Sequence, residues 1–134
     1  MNIFTFSIDD GVHSLKAVSV ICGDDLCVAL TGGTKPHIGA SALGIPRASL
    51  KDPNTLSSSV SVICVTGHKD DELAREAALT LASKCNCTVN VSVGIHIPCA
   101  DYKDIQRIND NFKLLLHKMM DHQELLQALM VSSF

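Results

Sequence analysis

From Thr88 to Ile95 the chain alternates without a break, with Val89, Val91, Val93 and Ile95 on one parity and Thr88, Asn90 and Ser92 on the other. Successive side chains of a strand point to opposite faces, so this stretch is a strand with one apolar and one polar side. Central strands of a doubly wound parallel sheet are buried on both sides and carry no such polar parity. The pattern therefore disfavours a nucleotide fold of that kind and calls for a sheet covered on one face only.

Other stretches fit the same sheet. Phe4, Phe6 and Ile8 alternate with Thr5 and Ser7, and Val18, Val20 and Cys22 repeat the pattern. Gly23-Asp24-Asp25 supplies a turn into Leu26 to Leu30, which is apolar on both parities, as in a hairpin whose second strand is the more central. Ile38 to Ile45 predicts a further strand ended by Pro46, and Arg47 to Ser59, rich in Ser, Pro, Asn and Asp, predicts a surface loop. Val60 to Val65 reads as a strand. In Asp70 to Lys84, Leu73, Ala77 and Leu81 share a helical face, with acids in the first turn and a lysine in the last, as the helix dipole favours. Ile105, Ile108, Phe112, Leu115 and Met119 form a helical core stripe, and a tail helix runs from about Asp121 to Met130.

The order is thus antiparallel strands followed by a strand-helix-strand-helix unit, whose crossover is expected to be right-handed. The fold class expected is α+β: a two-layer sandwich with a mainly antiparallel or mixed sheet and helices packed on one face. A chain of 134 residues forms one domain over 1–134, large enough to bury about two-thirds of its unfolded surface.

The 11 basic and 14 acidic residues give a net charge of -3, and no basic run offers a track for phosphates, which argues against nucleic acid. No apolar run approaches the roughly 18 residues that span a bilayer, and MNIFTFSIDD lacks a secretory leader, so a cytoplasmic protein off the membrane is expected. Six cysteines permit three disulfides, but Cys22, Cys27, Cys64 and Cys99 sit in or beside apolar runs and read as reduced thiols acting as small core residues. Cys85 and Cys87 form a CxC with no second pair at metal spacing, a weak basis for zinc.

Three histidines each follow a glycine at a strand end: His37 in GGTKPHIG, His68 in TGHKDD and His96 in GIHIP. His68 precedes a helix, where unpaired N–H groups and the positive dipole end attract anions, and Lys69 adds a charge suited to phosphate. His96 shares the parity of Asn90 and Ser92, and Lys35 shares that of His37. If their strands are neighbours, His37, His68 and His96 gather with Lys35 and Lys69 at one mouth, where Gly33, Gly39, Gly67 and Gly94 let a ligand approach the backbone. Separately, each has a plainer reading: a proline-stiffened loop, a helix cap and a satisfied histidine. Asp70, Asp71 and Glu72 would repel a phosphate unless a cation intervenes; a divalent metal held by His37, His68, Asp70 and His96 is one resolution.

GGTKPHIGASAL, SSSVSVICVTGHKDDELAREAALTLA and VSVGIHIPCADYKDIQRI resemble the small LpdD-like proteins, chaperones of prenylated flavin for UbiD-type decarboxylases such as gallate decarboxylase. The likeness runs from about Leu30 to Asn111; the matched positions are Lys35, His37, Gly39, Gly67, His68, Lys69, Asp70, Gly94 and His96. After GIH the chain departs from the family pattern, with Pro98-Cys99 standing before Asp101. The resemblance implies a non-catalytic accessory protein that binds prenylated FMN and delivers it to, or protects it for, a decarboxylase apoenzyme. Two other readings stay open. One is a small enzyme in which His68, activated by Asp70 or Asp71, acts as general base, although no nucleophile motif accompanies it. The other is a structural decarboxylase subunit. An exposed strand edge and the apolar carboxyl-terminal segment also permit a homo-oligomer.

Overall fold

The structure, a computed structural model, describes residues 2–65 and 70–131. Along these residues run β1 (Ile3–Ile8), β2 (Leu15–Cys22), β3 (Asp25–Gly33), β4 (Ala40–Ala48), β5 (Leu56–Cys64), α1 (Asp71–Cys85), β6 (Val89–His96), α2 (Tyr102–Met120) and α3 (Gln123–Val131), with a 3-10 turn at Gly11–His13. The strands form one six-stranded mixed sheet in the order β1-β2-β3-β6-β4-β5. β3 and β6 pair in parallel, and the other neighbours pair antiparallel. This is the α+β architecture expected, and the alternating stretch is a central strand, with Val91 opposite Val28 on one side and Ala42 on the other.

The two parities of the sheet separate cleanly. Leu26, Val28, Leu30, Val89, Val91 and Val93 are buried, while Cys27 and Ala29 between them are exposed. Onto the apolar face α1 packs against β4, β5 and β6, and α2 packs against β1 and β2. α1 presents Ala74, Ala77, Ala78 and Ala82. At Gly44 the contact is so close that a Cβ would stand 2.5 Å from the Ala78 carbonyl oxygen, so this helix rests directly on the backbone of β4. α2 contributes Phe112, Leu115 and Met119, all fully buried; truncating an aromatic such as Phe112 to alanine typically costs about 3–5 kcal/mol. His122 stacks edge-on against Phe4 and Phe6, at centroid distances of 5.5 and 5.2 Å, and ties the start of α3 to β1.

Three expectations need correction. First, β4 does not stop at Pro46: it pairs with β5 through Pro46 opposite Ser58 to Ala48 opposite Leu56, so β5 begins at Leu56 and the surface loop shrinks to 49–55. The pairing of β4 with β6 ends at Gly44, so Pro46 stands where one flank of the strand has left its ladder and a missing N–H is tolerated. Within the shortened loop the Asn54 N–H and the Thr55 hydroxyl donate to the Asp52 carboxylate, at 3.0 and 2.8 Å, and hold its pKa below the ordinary 3.8. Second, Cys22, Cys27, Cys64 and Cys99 are exposed: they fall at a strand end, on the open face of β3, on edge strand β5 and in a loop. All six thiols are free, and the more buried ones are Cys85 and Cys87. There the Cys87 thiol hydrogen-bonds Cys85; the contact lowers the Cys85 pKa, and together with burial it raises that of Cys87. Third, Ile105 does not join the buried stripe of α2 and remains half exposed.

Candidate functional site

The strand order explains the TKPHIG stretch. β3 and β4 lie on either side of β6, so the segment joining them must cross the carboxyl end of β6. It is fastened there. The Thr34 N–H and hydroxyl both donate to the His96 carbonyl, at 2.8 and 3.2 Å, and the Gly39 N–H donates to the Val93 carbonyl at 2.9 Å. Gly33, at a positive φ of 73°, lies so close that a Cβ would stand 2.2 Å from the His96 carbonyl oxygen, and at Gly94 a Cβ would stand 1.6 Å from the His37 carbonyl oxygen. A side chain at Gly33 would run into the backbone at the end of β6, and one at Gly94 into the crossing loop itself.

β3, β5 and β6 all run in the same direction, since β5 and β6 are each antiparallel to β4 and β3 is parallel to β6. Their carboxyl ends therefore share one end of the sheet, together with the amino terminus of α1. The Val65 N–H donates to the Gly39 carbonyl at 2.7 Å, which binds the end of β5 to the crossing loop.

At this end a histidine–aspartate cluster forms. His37 Nε2 lies 3.3 Å from Asp70 Oδ2, and His37 Nδ1 lies 3.0 Å from the Lys35 carbonyl oxygen. When the ring carries both protons, both contacts are hydrogen bonds that it donates. Asp70 is the N-cap of α1, but its side chain makes no cap bond; instead Oδ1 accepts the Ile95 N–H at 3.2 Å. Its carboxylate is buried, so these partners offset the cost of taking the charge out of water. Gly39 makes room for it, since a Cβ there would stand 1.9 Å from Asp70 Oδ2. The His96 ring meets the His37 ring edge-on at 6.4 Å.

A cavity of about 330 Å³ opens beside the cluster. Leu73, Ile95, Ile97, Ile105 and Ile108 give it apolar walls, and Asp70, Glu72, His96 and Asp104 bring polar groups to it. An anionic group in this mouth therefore belongs near Lys35, His37 and His96, away from Glu72 and Asp104, while an apolar ring suits the isoleucine wall.

Of the residues singled out from sequence, Gly33, Lys35, His37, Gly39, Asp70, Gly94 and His96 come together at the carboxyl end of β6. Gly67, His68 and Lys69 lie outside the described residues. Among the described residues no group of three or more His, Cys, Asp and Glu is placed to hold a metal ion. Sequence reasoning missed the α2 side of the cavity, Ile97, Ala100, Asp104, Ile105 and Ile108. Ile105 keeps the spacing of the buried stripe in the sequence, so nothing there marked it as a cavity wall; the structure leaves it 51% exposed.

Residues 9–124 match the family described as the prenylated flavin chaperone LpdD-like domain, and the chain belongs to that family. A flavin-related chaperone role is what this membership suggests. A curated relative, Protein LpdD of Lactiplantibacillus plantarum, is 25% identical over 95 residues that cover 69% of this chain and 65% of that protein, so the chain spans about two-thirds of its relative's length. A chain in the crystal structure of a novel chaperone complex for yeast 20S proteasome assembly has a similar fold, with a TM-score of 0.58, 16% identity and 96% of each chain covered.

Proposed function

We propose that this protein is a non-catalytic carrier of prenylated FMN that holds the cofactor at the His37–Asp70–His96 mouth and passes it, in the cytoplasm, to a UbiD-type decarboxylase apoenzyme. The observation that carries this reading is the crossing loop, which glycines at 33, 39 and 94 allow to close over β6 so that His37 is clamped beside the cavity. The residues present fit the group. Lys35, His37 and His96 provide cationic or hydrogen-bonding partners for a phosphate, and the apolar wall suits a modified isoalloxazine. A volume of about 330 Å³ is at the lower end of small-molecule sites, so the cofactor extends beyond the cavity over the loop. When bound, prenylated FMN supplies the chemistry of the decarboxylase; here the side chains bind, orient and shelter it.

A second reading draws on the His37–Asp70 pair, whose carboxylate could orient an imidazole acting as a general base. One experiment separates the two. The purified protein is mixed with prenylated FMN, with and without a divalent cation, passed through a desalting column and then offered to an apo-decarboxylase. A carrier co-elutes with the flavin spectrum and restores decarboxylase activity while turning over no substrate alone. Elution of all flavin in the small-molecule fraction under both conditions refutes the carrier, and turnover of an aromatic acid by this protein alone, lost in His37→Ala, supports the enzyme.

A further inference from the structure

Among the described residues nothing packs on the face of the sheet opposite the helices, and that face, polar along β6, carries no charge across its centre. Register places two rows of side chains across all six strands: one runs Ile3, Val20, Cys27, Asn90, Leu43, Ser61, the other Thr5, Val18, Ala29, Ser92, Ser41, Ile63, with Asn90 and Ser92 each hydrogen-bonded to Ser41 at the centre. Neither row contains Asp, Glu, Lys, Arg or His. Ile63 is 80% exposed and Leu43 is 41% exposed. Edge strands usually carry charge to discourage pairing, and neither row has any at its β1 or β5 end. On this chain charges stand beyond the two rows, at Lys16, Asp25 and Arg47.

We infer that this face binds a second copy of the same chain, sheet against sheet, in a two-fold dimer. Three features favour a copy as the occupant. The first is size: six strands about 4.8 Å apart and about 20 Å of strand length give a face on the order of 500 Å² in projection. Pleated side chains raise its accessible area toward the roughly 800 Å² per partner of a standard interface. The second is neutrality. A two-fold contact sets a surface against itself, and these rows bring no like charges together. The third is charge placement: Lys16 and Asp25 flank the rows at opposite ends of neighbouring strands, Lys16 opposite Thr31 and Asp25 opposite Cys22. A two-fold axis running across the strands brings Lys16 of one copy and Asp25 of the second to the same end of the interface, offset sideways by about one strand spacing of 4.8 Å and facing each other across the gap between the sheets. Face-to-face packing of two such sheets, about 10 Å apart, gives a four-layer molecule with helices outside. The mouth lies at the strand ends beside the helices and stays open in it.

The test is sedimentation velocity from 5 to about 100 µM protein. The mass expected is twice the 14.3 kDa of one chain. Leu43→Asp and, on an edge strand where folding is least at risk, Ile63→Asp are each expected to weaken the dimer at least tenfold while leaving the circular dichroism spectrum unchanged. A second readout needs no substitution. Cys27 sits in the middle of the first row, so its alkylation, followed by peptide mass spectrometry, is expected to lag behind that of Cys99 at high concentration and catch up on dilution. A wild-type monomer at 100 µM overturns the inference, as does a dimer that survives both substitutions or a Cys27 that reacts as fast as Cys99 throughout. Docking of a decarboxylase on this face by a monomeric chain would also overturn it.

Discussion

His13 and His37 each face an aspartate, Asp104 at 2.8 Å and Asp70 at 3.3 Å, and both carboxylates line the same cavity. Their surroundings differ. Asp104 belongs to the capping box of α2: its Oδ2 accepts the Asp101 N–H at 3.0 Å, while its own N–H donates to Asp101 Oδ1 at 2.8 Å. Close by, Arg107 donates twice to Asp10, at 2.5 and 2.6 Å, and Asn111 donates both to Asp10 and to the His13 carbonyl, at 2.9 and 3.0 Å. That pair is a clasp joining the 3-10 turn to α2. The other pair is held by backbone groups and by glycines, with room beside it. A histidine facing an aspartate is therefore not in itself a site; Asp104 is taken up by the cap of its helix, whereas Asp70 makes no cap bond and meets His37 beside the crossing loop.

The largest effect that can break this contrast lies at Gly94. A Cβ there meets the His37 backbone at 1.6 Å, which only movement of the crossing loop can relieve. Gly94→Ala is expected to lose about 3 kcal/mol or more in urea unfolding and all flavin binding. Gly39→Ala meets the Asp70 side chain, which can swing aside, and should cost less stability while still disturbing the mouth. Equal, negligible losses in both would mean that the loop is not tightly fitted.

On the clasp side the effects are smaller and concern stability alone. Asp101→Ala removes the N-cap of α2 and should cost about 1 kcal/mol, with flavin affinity unchanged. A matching fall in affinity would merge the two regions into one site. Smallest is the pH effect. Hydrogen bonds from Arg107 lower the Asp10 pKa, and a bond from the Asp101 backbone, then one from His13, lowers that of Asp104. A carboxyl whose folded pKa is depressed adds stability above its unfolded value and loses it as pH falls through the depressed one. Thermal melts should therefore be steady near neutrality and decline below pH 3.8, the ordinary value for these groups. Arg107→Ala is expected to make that decline shallower; an unaltered decline would remove Asp10 from the clasp.

Much of this was readable in the sequence because period-two patterns report a sheet with one wet face. Val89, Val91 and Val93 fixed the covered side of β6, and the glycines before His37 and His96 marked the strand ends where backbones meet. The sequence put Asp70 and His37 at one mouth only as ligands of a shared metal; their direct contact was not readable, because it depends on β4 inserting beside β6, a long-range choice that local patterns do not encode. Nor was the clasp, whose partners Asp10 and Arg107 lie 97 positions apart. The exposed cysteines were misread for a related reason: an apolar run shows that a strand exists, while the side a given thiol occupies depends on register.

The most direct measurement is a side-by-side fluorescence titration of prenylated FMN into the wild type, His37→Ala and His13→Ala. Affinity is expected to fall at least tenfold in His37→Ala, measured on protein shown to be folded by circular dichroism, and to stay within twofold in His13→Ala, which melts earlier. Equal affinity in all three, or a loss confined to His13→Ala, would contradict the assignment of the mouth.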